Sequence, residues 1–178
     1  MKFSFPVRKE SDEVYYADAG LVGLCRDDLK MLKSIALANP RQRSRLCTHA
    51  DPGDSLHEMF IVHGRNAYVR PHRHLTRREG LSVLEGSAEV VFFSDDGEIT
   101  GVFQLDENHF YQRINEPVYH MLLIRSDSLV FHEATSGPFD QAGSEFAPWS
   151  PNDTEVSAVA SFLHHVELAL ANWRGGLG

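Results

Sequence analysis

The chain has 178 residues, with 25 acidic and 17 basic side chains and a formal net charge of -8. This length fits one domain with a sizeable core. The negative charge argues against nucleic-acid binding, because phosphate contacts need an excess of lysine and arginine. No segment has the composition of a secretion signal or a membrane span, so we expect a cytoplasmic protein with no membrane partner. Cys25 and Cys47 are then expected to be reduced thiols without a redox role.

Residues 1–40 predict an N-terminal extension made of a strand and one helix. Asp27 and Asp28 favour a helix start, and Asn39-Pro40 favours its end. Between them, apolar residues recur at helical spacing, namely Leu29, Leu32, Ile35 and Ala36. The pattern predicts a helix that leads into the main body of the domain.

Residues 41–150 predict a β barrel. Short apolar segments follow one another between turn signals: "EVVFF", "ITGVFQL", "HFYQRI", "HMLLIR" and "LVFHEA". Short strands at nearly regular spacing indicate an antiparallel barrel or sandwich. Because no helical pattern separates them, a parallel sheet of βαβ units is excluded.

Residues 151–178 predict a C-terminal helix within the same compact domain. The helix would carry one apolar stripe, formed by Val156, Val159, Leu163, Val166, Leu170 and Trp173. Packing of this stripe on its own domain is favoured, and a homodimer contact is the alternative. His164 and His165 lie off the stripe and are expected to be solvated.

The segment "RPHRHLTRRE" carries the pattern that points most directly to chemistry. In a strand, His72 and His74 share one face while Arg73 points to the other. Glu79 follows after four residues, and a later strand supplies His120 at its start. Imidazoles with one carboxylate suit divalent iron, manganese, nickel or zinc better than calcium or magnesium. The pattern therefore indicates a site for one divalent transition metal.

The segment "HRHLTRREGLSVLEG" resembles the first sequence motif of the cupin superfamily, and His120 stands where the histidine of the second motif is expected. The resemblance implies a mainly β fold, a double-stranded β-helix or jelly-roll barrel, with a helix at each end of this chain. It also implies that one metal is bound by His72, His74, Glu79 and His120.

A closer resemblance covers about residues 36 to 151. In order, the chain contains "NPRQRSRLCTH", "LHEMFIV", "YVRPHRH", "VLEG", "YHMLL", "VFHEATSGPF" and "APWSP". Together these segments are similar to the WbuC-type cupin-fold metalloproteins, small bacterial proteins encoded among surface-polysaccharide genes. The resemblance implies a role in surface-polysaccharide biosynthesis of the O-antigen type and the family habit of forming dimers. It implies no settled reaction.

Arginines are concentrated beside the histidines. From Arg41 to Arg78 there are eight arginines and three acidic residues. Guanidinium groups suit carboxylate and phosphate, whereas the simplest alternative is a solvated face without a ligand. We expect a small anionic ligand, whose binding residues are Arg43, Arg45, Arg70 and Arg77. Arg73 would turn away from it in a strand.

Other polar residues are assigned by their strand context. His49 and Tyr119 are the candidates for proton transfer. The His-Glu pairs at 57–58 and 132–133 are expected to hydrogen-bond a metal ligand and hold its tautomer. The remaining histidines are expected to be structural or surface residues; they are His63, His109, His164 and His165.

The leading functional hypothesis is an enzyme whose metal polarises a carbonyl or hydroxyl group of a small anionic sugar or sugar nucleotide. Isomerisation, epimerisation and oxygenation all stay open. One alternative is a non-catalytic binding or sensor protein, and another is a structural metal site in an interaction module. A metal-free sugar-nucleotide epimerase with a histidine base and a tyrosine acid is a further alternative.

Overall fold

The computed structural model describes residues 2–175, without the side chain of Gln141, and the last three residues of the predicted C-terminal region lie outside it. The helices are α1, Arg26–Ala38, and α2, Val156–Gly175. The strands are β1 Val7–Lys9, β2 Val14–Ala17, β3 Arg43–Cys47, β4 Leu56–Gly64, β5 His72–His74, β6 Glu79–Glu85, β7 Ala88–Phe93, β8 Ile99–Leu105, β9 Tyr111–Ile114, β10 Tyr119–Ile124, β11 Ser128–Ser136 and β12 Ser144–Phe146.

The strands form two sheets that enclose a barrel. The larger sheet has the order β1-β2-β3-β4-β11-β6-β9, and the smaller has the order β12-β5-β10-β7-β8. Counted from β4 to β11, the eight barrel strands therefore lie in the order 1-8-3-6 in one sheet and 2-7-4-5 in the other. This is the strand order of a double-sheet jelly roll, the architecture of cupins. The prediction of a mainly β, cupin-type barrel with a helix at each end is confirmed.

One strand pair departs from an antiparallel barrel. β2 runs parallel to β3, with Val14 opposite Arg45 and Tyr16 opposite Cys47. The connection between them contains α1, and a helical crossover is the usual way to join parallel neighbours. All other pairs that the structure describes are antiparallel. The parallel pair lies at the N-terminal border of the barrel, where a strand and a helix were predicted for residues 1–40 but no pairing was assigned.

Helix α1 covers the outer face of the larger sheet. Its apolar side chains form one buried cluster with residues of β3, β4 and β11, namely Leu29, Leu32, Ala36, Leu46, Val62 and Val130. The residue before the helix, Cys25, belongs to a capping box with Asp28. Cys25 and Cys47 form no disulfide, as predicted.

Helix α2 covers the outer face of the smaller sheet. Val166 and Leu170 are buried in a cluster with Val91 and Met121 of that sheet. The predicted apolar stripe is only partly covered, because its first member, Val156, is 77% exposed. No helix among residues 2–175 combines the length and the apolar character that a membrane crossing needs.

A tight turn between β6 and β7 carries the chain from the larger sheet to the smaller one. Gly86 has a φ of +88°, which favours glycine. A Cβ atom at this position would lie only 2.2 Å from the carbonyl oxygen of Ser128. Both constraints explain the glycine in "VLEG", and the turn directs the chain from the strand that begins with Glu79 into the strand that pairs with β10.

Candidate metal centre

Three strands bring the predicted metal ligands together inside the barrel. β5 contributes His72 and His74, β6 begins with Glu79, and His120 is the second residue of β10. β5 pairs with β10 so that His72 lies opposite His120. Because side chains alternate along a strand, both histidines of β5 point into the barrel.

The three histidines cluster together, and Glu79 contacts two of them. Glu79 lies between two histidines, with Oε2 3.1 Å from Nε2 of His74 and Oε1 2.9 Å from Nε2 of His120. The ring centroids of His72 and His120 are 4.6 Å apart. One potential ligand atom from each of the three histidines lies within 4.8 Å of the other two. The histidine triad can therefore hold one metal ion, with the Glu79 carboxylate beside it.

Hydrogen bonds on the far side of each ring fix the orientation of the histidines. Nδ1 of His72 lies 2.9 Å from the carbonyl oxygen of Arg70, and Nδ1 of His120 lies 2.9 Å from that of Val118. A carbonyl oxygen only accepts hydrogen bonds, so both Nδ1 atoms carry the proton when the rings are neutral, and Nε2 of each ring is the atom that can bind a metal. Metal-binding histidines in proteins are commonly held in this way.

The electrostatics of the cluster also suit coordination. Burial lowers the pKa of His72 to about 4, and the neighbouring His120 lowers it further, so this ring is neutral at pH 7. Burial acts to raise the pKa of Glu79, but hydrogen bonds from His120 and His74 hold it below its ordinary value. Neutral imidazole and ionised carboxylate are the forms that bind metals. The donor set therefore fits a divalent transition metal.

The candidate metal centre lies in the wall of a cavity of about 860 Å³ inside the barrel. His49 and His57 line another part of this cavity, with their rings stacked in parallel at a centroid distance of 4.2 Å. His57 is buried, and its Nε2 has no hydrogen-bond partner among the described residues. The predicted proton-transfer residue His49 is thus brought into the same cavity as the metal ligands.

His63 also lines this cavity, although the sequence predicted a structural or surface role. Its Nδ1 is buried without a hydrogen-bond partner in the described part of the chain, and burial lowers its pKa to about 4. Along β4, His57, Met59, Ile61 and His63 all face the cavity. The alternation of "HEMFIVH" was the signal that would have placed His63 beside His57.

The two His-Glu pairs are split between the inside and the outside of the barrel. Glu133 lines the cavity, whereas His132 lies 3.6 Å from Glu58 on the outer face. Glu133 of β11 pairs with Leu81 of β6, and Leu81 lies two residues along that strand from Glu79. Burial raises the pKa of Glu133, and the negative charge of Glu79 raises it further. A second carboxyl group therefore shares the cavity with the metal ligands.

All four arginines predicted to bind substrate line the cavity; they are Arg43, Arg45, Arg70 and Arg77. Arg43 is already paired with acidic groups, 3.5 Å from Asp153 and 3.7 Å from Glu13. The other three form no ion pair with a carboxylate of the described residues. Their positive charge is therefore available to an anion.

Arg73 and Tyr119 lie on the outer face of the smaller sheet, away from the cavity. Arg73 pairs with Glu145 and Asp95 at 3.0 and 2.8 Å. Tyr119 donates a hydrogen bond to Glu145 over 2.8 Å, and its ring lies 4.4 Å below the Arg73 guanidinium. Since Tyr119 directly precedes His120 in β10, the two side chains point to opposite faces. The structure does not bring Tyr119 together with His49.

Ser144 connects one metal ligand to one arginine, which leads to a testable prediction. Its Oγ lies 2.8 Å from Nδ1 of His74 and 2.5 Å from Nη2 of Arg77. In Ser144→Ala, His74 loses the partner that orients its ring, and we expect the metal dissociation constant to rise about 10- to 100-fold. Competition with a chromogenic chelator measures this constant.

The matched control is Glu145→Gln, one residue further along β12 and on the outer face of the sheet. This variant perturbs the Arg73 and Tyr119 contacts without touching a metal ligand. We expect its metal affinity to equal that of the parent. Equal affinity in the Ser144 variant would contradict the role assigned to the hydroxyl.

Comparisons with known proteins yield one partial family match and several distant structural similarities. Residues 24–105 match the model of a family described as "Domain of unknown function (DUF6016)". No curated protein matches the sequence. A structure of CapF with the inhibitor 3-isopropenyl-tropolone is similar over 58% of this chain and 31% of that chain, with 17% identity and a TM-score of 0.49.

Two other solved structures show similarity at the same level. L-ribose isomerase of Cellulomonas parahominis with L-psicose is 14% identical over 61% of this chain and 70% of that chain, with a TM-score of 0.48. Oxalate decarboxylase of Bacillus subtilis, described with Mn(II) centres, is 17% identical over 52% of this chain and 24% of that chain, with a TM-score of 0.44. The fold assignment rests on the strand order described above.

Proposed function

We propose that the protein is a metal-dependent enzyme that acts on a small anionic, sugar-like ligand in the barrel cavity. The observation that carries this proposal is the convergence of His72, His74, His120 and Glu79 in the wall of one cavity. Three arginines of the same wall form no ion pair with a carboxylate among residues 2–175; they are Arg45, Arg70 and Arg77. A bound divalent metal would polarise a carbonyl or hydroxyl group of the ligand. Isomerisation, epimerisation and oxygenation are all compatible with such a site.

The arginines in the cavity wall are the reason for proposing an anionic ligand. Arg45 extends from β3 into the cavity and is close enough to lower the pKa of the buried Glu133. Arg77 donates to Ser144 through Nη2, while its Nε is buried without a hydrogen-bond partner among the described residues. A buried guanidinium N–H without a partner is unfavourable unless a ligand accepts its hydrogen bond. Carboxylate and phosphate oxygens are suitable acceptors.

His49 is the residue that we propose for proton transfer. Its Nδ1 lies 3.2 Å from the backbone of Glu58, which orients the ring. Burial lowers the pKa of His49, and the nearby His57 lowers it further. A neutral imidazole facing the cavity can accept a proton from a bound ligand. Glu133 lies in the same cavity and offers a second proton-carrying group.

The wider role follows from the sequence resemblance to WbuC-type proteins. That resemblance supports a function in bacterial surface-polysaccharide biosynthesis. The net charge of -8 is the ground for proposing that nucleic acid is not a partner. The resemblance also supports a homodimer. The incompletely covered apolar stripe of α2, with Val156 exposed, is one surface that a second copy could use.

Ligand-dependent stability tests this proposal. Metal-loaded protein is heated with D-glucuronate or glucose 6-phosphate at about 100 times the dissociation constant, where we expect Tm to rise by roughly 5–10 °C. NMR of the same mixtures detects conversion. Arg45→Gln should abolish the Tm shift, whereas Arg113→Gln, on the exposed surface of β9, should preserve it.

The outcomes separate the functional classes. Conversion that requires metal supports the enzyme. A Tm shift that depends on Arg45, without conversion of any tested sugar acid or sugar phosphate, would favour the binding or sensor protein instead. If no anion raises Tm and Arg45→Gln behaves like the parent, the proposal fails.

A further inference from the structure

Two arginine–phenylalanine pairs lie at the cavity wall and are not explained by binding of a small sugar acid. The Arg70 guanidinium lies 4.8 Å from the ring centroid of Phe146, and that of Arg77 lies 5.0 Å from the ring centroid of Phe139. Both phenylalanines line the cavity, yet Phe139 is 54% and Phe146 is 56% exposed. Each ring therefore presents open apolar surface at the cavity mouth while an arginine covers part of it.

Both pairs are connected to the metal ligands. β12 pairs with β5 so that Phe146 lies opposite His72, and the two ring centroids are 6.2 Å apart. Arg77 reaches His74 through the shared Ser144 hydroxyl. A ligand at the metal centre therefore lies close to both arginine–phenylalanine pairs.

The chemistry of these pairs favours a particular kind of ligand. Guanidinium groups bind phosphate with directional hydrogen bonds, and neither Arg70 nor Arg77 forms an ion pair within the described chain. An exposed aromatic face beside a cation is a common platform for a nucleobase, because every base presents a flat π surface. A sugar acid alone would use the arginines and leave the aromatic rings unexplained.

The size of the cavity agrees with a ligand larger than a monosaccharide. Its volume of about 860 Å³ lies toward the upper end of the roughly 300–1,000 Å³ usual for pockets that enclose drug-sized ligands. The metal ligands occupy only one part of the wall. The cavity therefore has room for a second moiety beside the one at the metal centre.

We propose, building on the proposed function, that the cavity mouth is a nucleotide subsite and that the ligand is a nucleotide-linked small molecule. The base stacks on Phe139 or Phe146, and Arg70 and Arg77 bind the phosphate. The linked moiety then reaches His72, His74, Glu79 and His120. The nucleotide is then recognised by the subsite, while the reaction takes place on the moiety at the metal centre.

Calorimetric titration of the full-length, metal-loaded protein tests the subsite with three probes: UMP, AMP and ribose 5-phosphate. UMP and ribose 5-phosphate share the sugar phosphate and differ in the base. We expect UMP or AMP to bind at least about tenfold more tightly than ribose 5-phosphate, because stacking of one base contributes about that much or more.

Variants identify the aromatic contribution. We expect Phe139→Leu or Phe146→Leu to weaken binding of the preferred nucleotide about fivefold or more and to leave binding of ribose 5-phosphate unchanged. Phe110→Leu is the matched control, because Phe110 is 59% exposed but does not line the cavity. This control should bind all three probes like the parent.

Failure of the subsite is distinguishable from failure of the proposed function. If ribose 5-phosphate binds as tightly as the nucleotides, the nucleotide subsite is overturned and the anion site stands. The same conclusion follows if the Phe139 and Phe146 variants lose binding of ribose 5-phosphate too, since the rings would then hold a sugar. A change of oligomeric state in these variants, with unchanged nucleotide affinity, would assign the rings to a protein interface. If none of the probes binds, and sugar acids also fail, the proposed function fails as well.

Discussion

Purified protein with His72→Ala and His74→Ala is expected to contain less than about a tenth of an equivalent of transition metal, against about one equivalent in the parent. Both residues lie in β5 and point to the centre that His120 and Glu79 complete. Removing two of three imidazoles leaves a donor set too small for tight binding. Elemental analysis of protein purified without a chelator or metal-affinity tag measures the content.

A second histidine pair in the chain provides the control. His164 and His165 are exposed on α2 and do not line the barrel cavity, and Nδ1 of His165 donates a hydrogen bond to the carbonyl oxygen of Ser161. The His164→Ala and His165→Ala double variant should keep the full metal content. Circular dichroism of both double variants checks that the barrel persists. A parent protein that holds no metal and cannot be loaded would overturn the metal site itself.

Replacing Asp28 by alanine is expected to destabilise the protein by about 2–4 kcal/mol at pH 7. The Asp28 carboxylate is 1% exposed and accepts hydrogen bonds from the backbone N–H and the hydroxyl of Ser4, both at 2.7 Å. It also accepts from the backbone N–H of Cys25 at 2.8 Å. Alanine leaves these donors without a partner in the described chain and frees the N-terminal segment from α1. Urea unfolding of both proteins measures the difference.

Asp27 is the matched control for this variant and lies next to it in the first turn of α1. Its side chain is exposed and pairs with Lys30 at 2.8 Å. We expect Asp27→Ala to change the free energy of unfolding by less than about 1 kcal/mol. An equal loss of unfolding free energy in the two variants would show that helix charge, not the buried hydrogen bonds, explains the effect.

The pH dependence of the Asp28 contribution has a definite sign. Burial acts to raise the pKa of Asp28, but the hydrogen bonds from Cys25 and Ser4 outweigh it and hold the pKa below the ordinary value of 3.8. The unfolded chain therefore binds a proton more readily than the folded chain. The stability contribution is complete above about pH 5 and is lost as pH falls through the lowered pKa. The difference in the free energy of unfolding between the parent and Asp28→Ala should therefore decrease as the pH is lowered.

The predictable features were those determined by local pattern. The helical spacing of Leu29 and Leu32 predicted α1, and the alternation within "HRH" placed His72 and His74 on one face. The positions of Ser144 and Phe146 beside the metal centre could not be predicted, because β12 pairs with β5 across 70 residues of chain. Such a pairing depends on the barrel closing and leaves no periodic signal in either segment.

The prediction that Tyr119 transfers protons in the cavity differs from the structure for another reason. Tyr119 precedes His120, and strand alternation alone would have turned it to the opposite face, as it turned Arg73. The structure pairs both with Glu145 on that outer face. By contrast, the position of Glu133 within the cavity required knowing that β11 lies between β4 and β6.

The shared hydroxyl of Ser144 has a thermodynamic consequence. It contacts His74, which belongs to the metal centre, and Arg77, which is available to an anion. If an anion on Arg77 alters the strength of the hydrogen bond between Ser144 and His74, the affinities for metal and anion become coupled. The coupling is reciprocal, so any factor by which the anion tightens metal binding must equal the factor by which metal tightens anion binding. Measured in both directions, this cooperativity would vanish in Ser144→Ala.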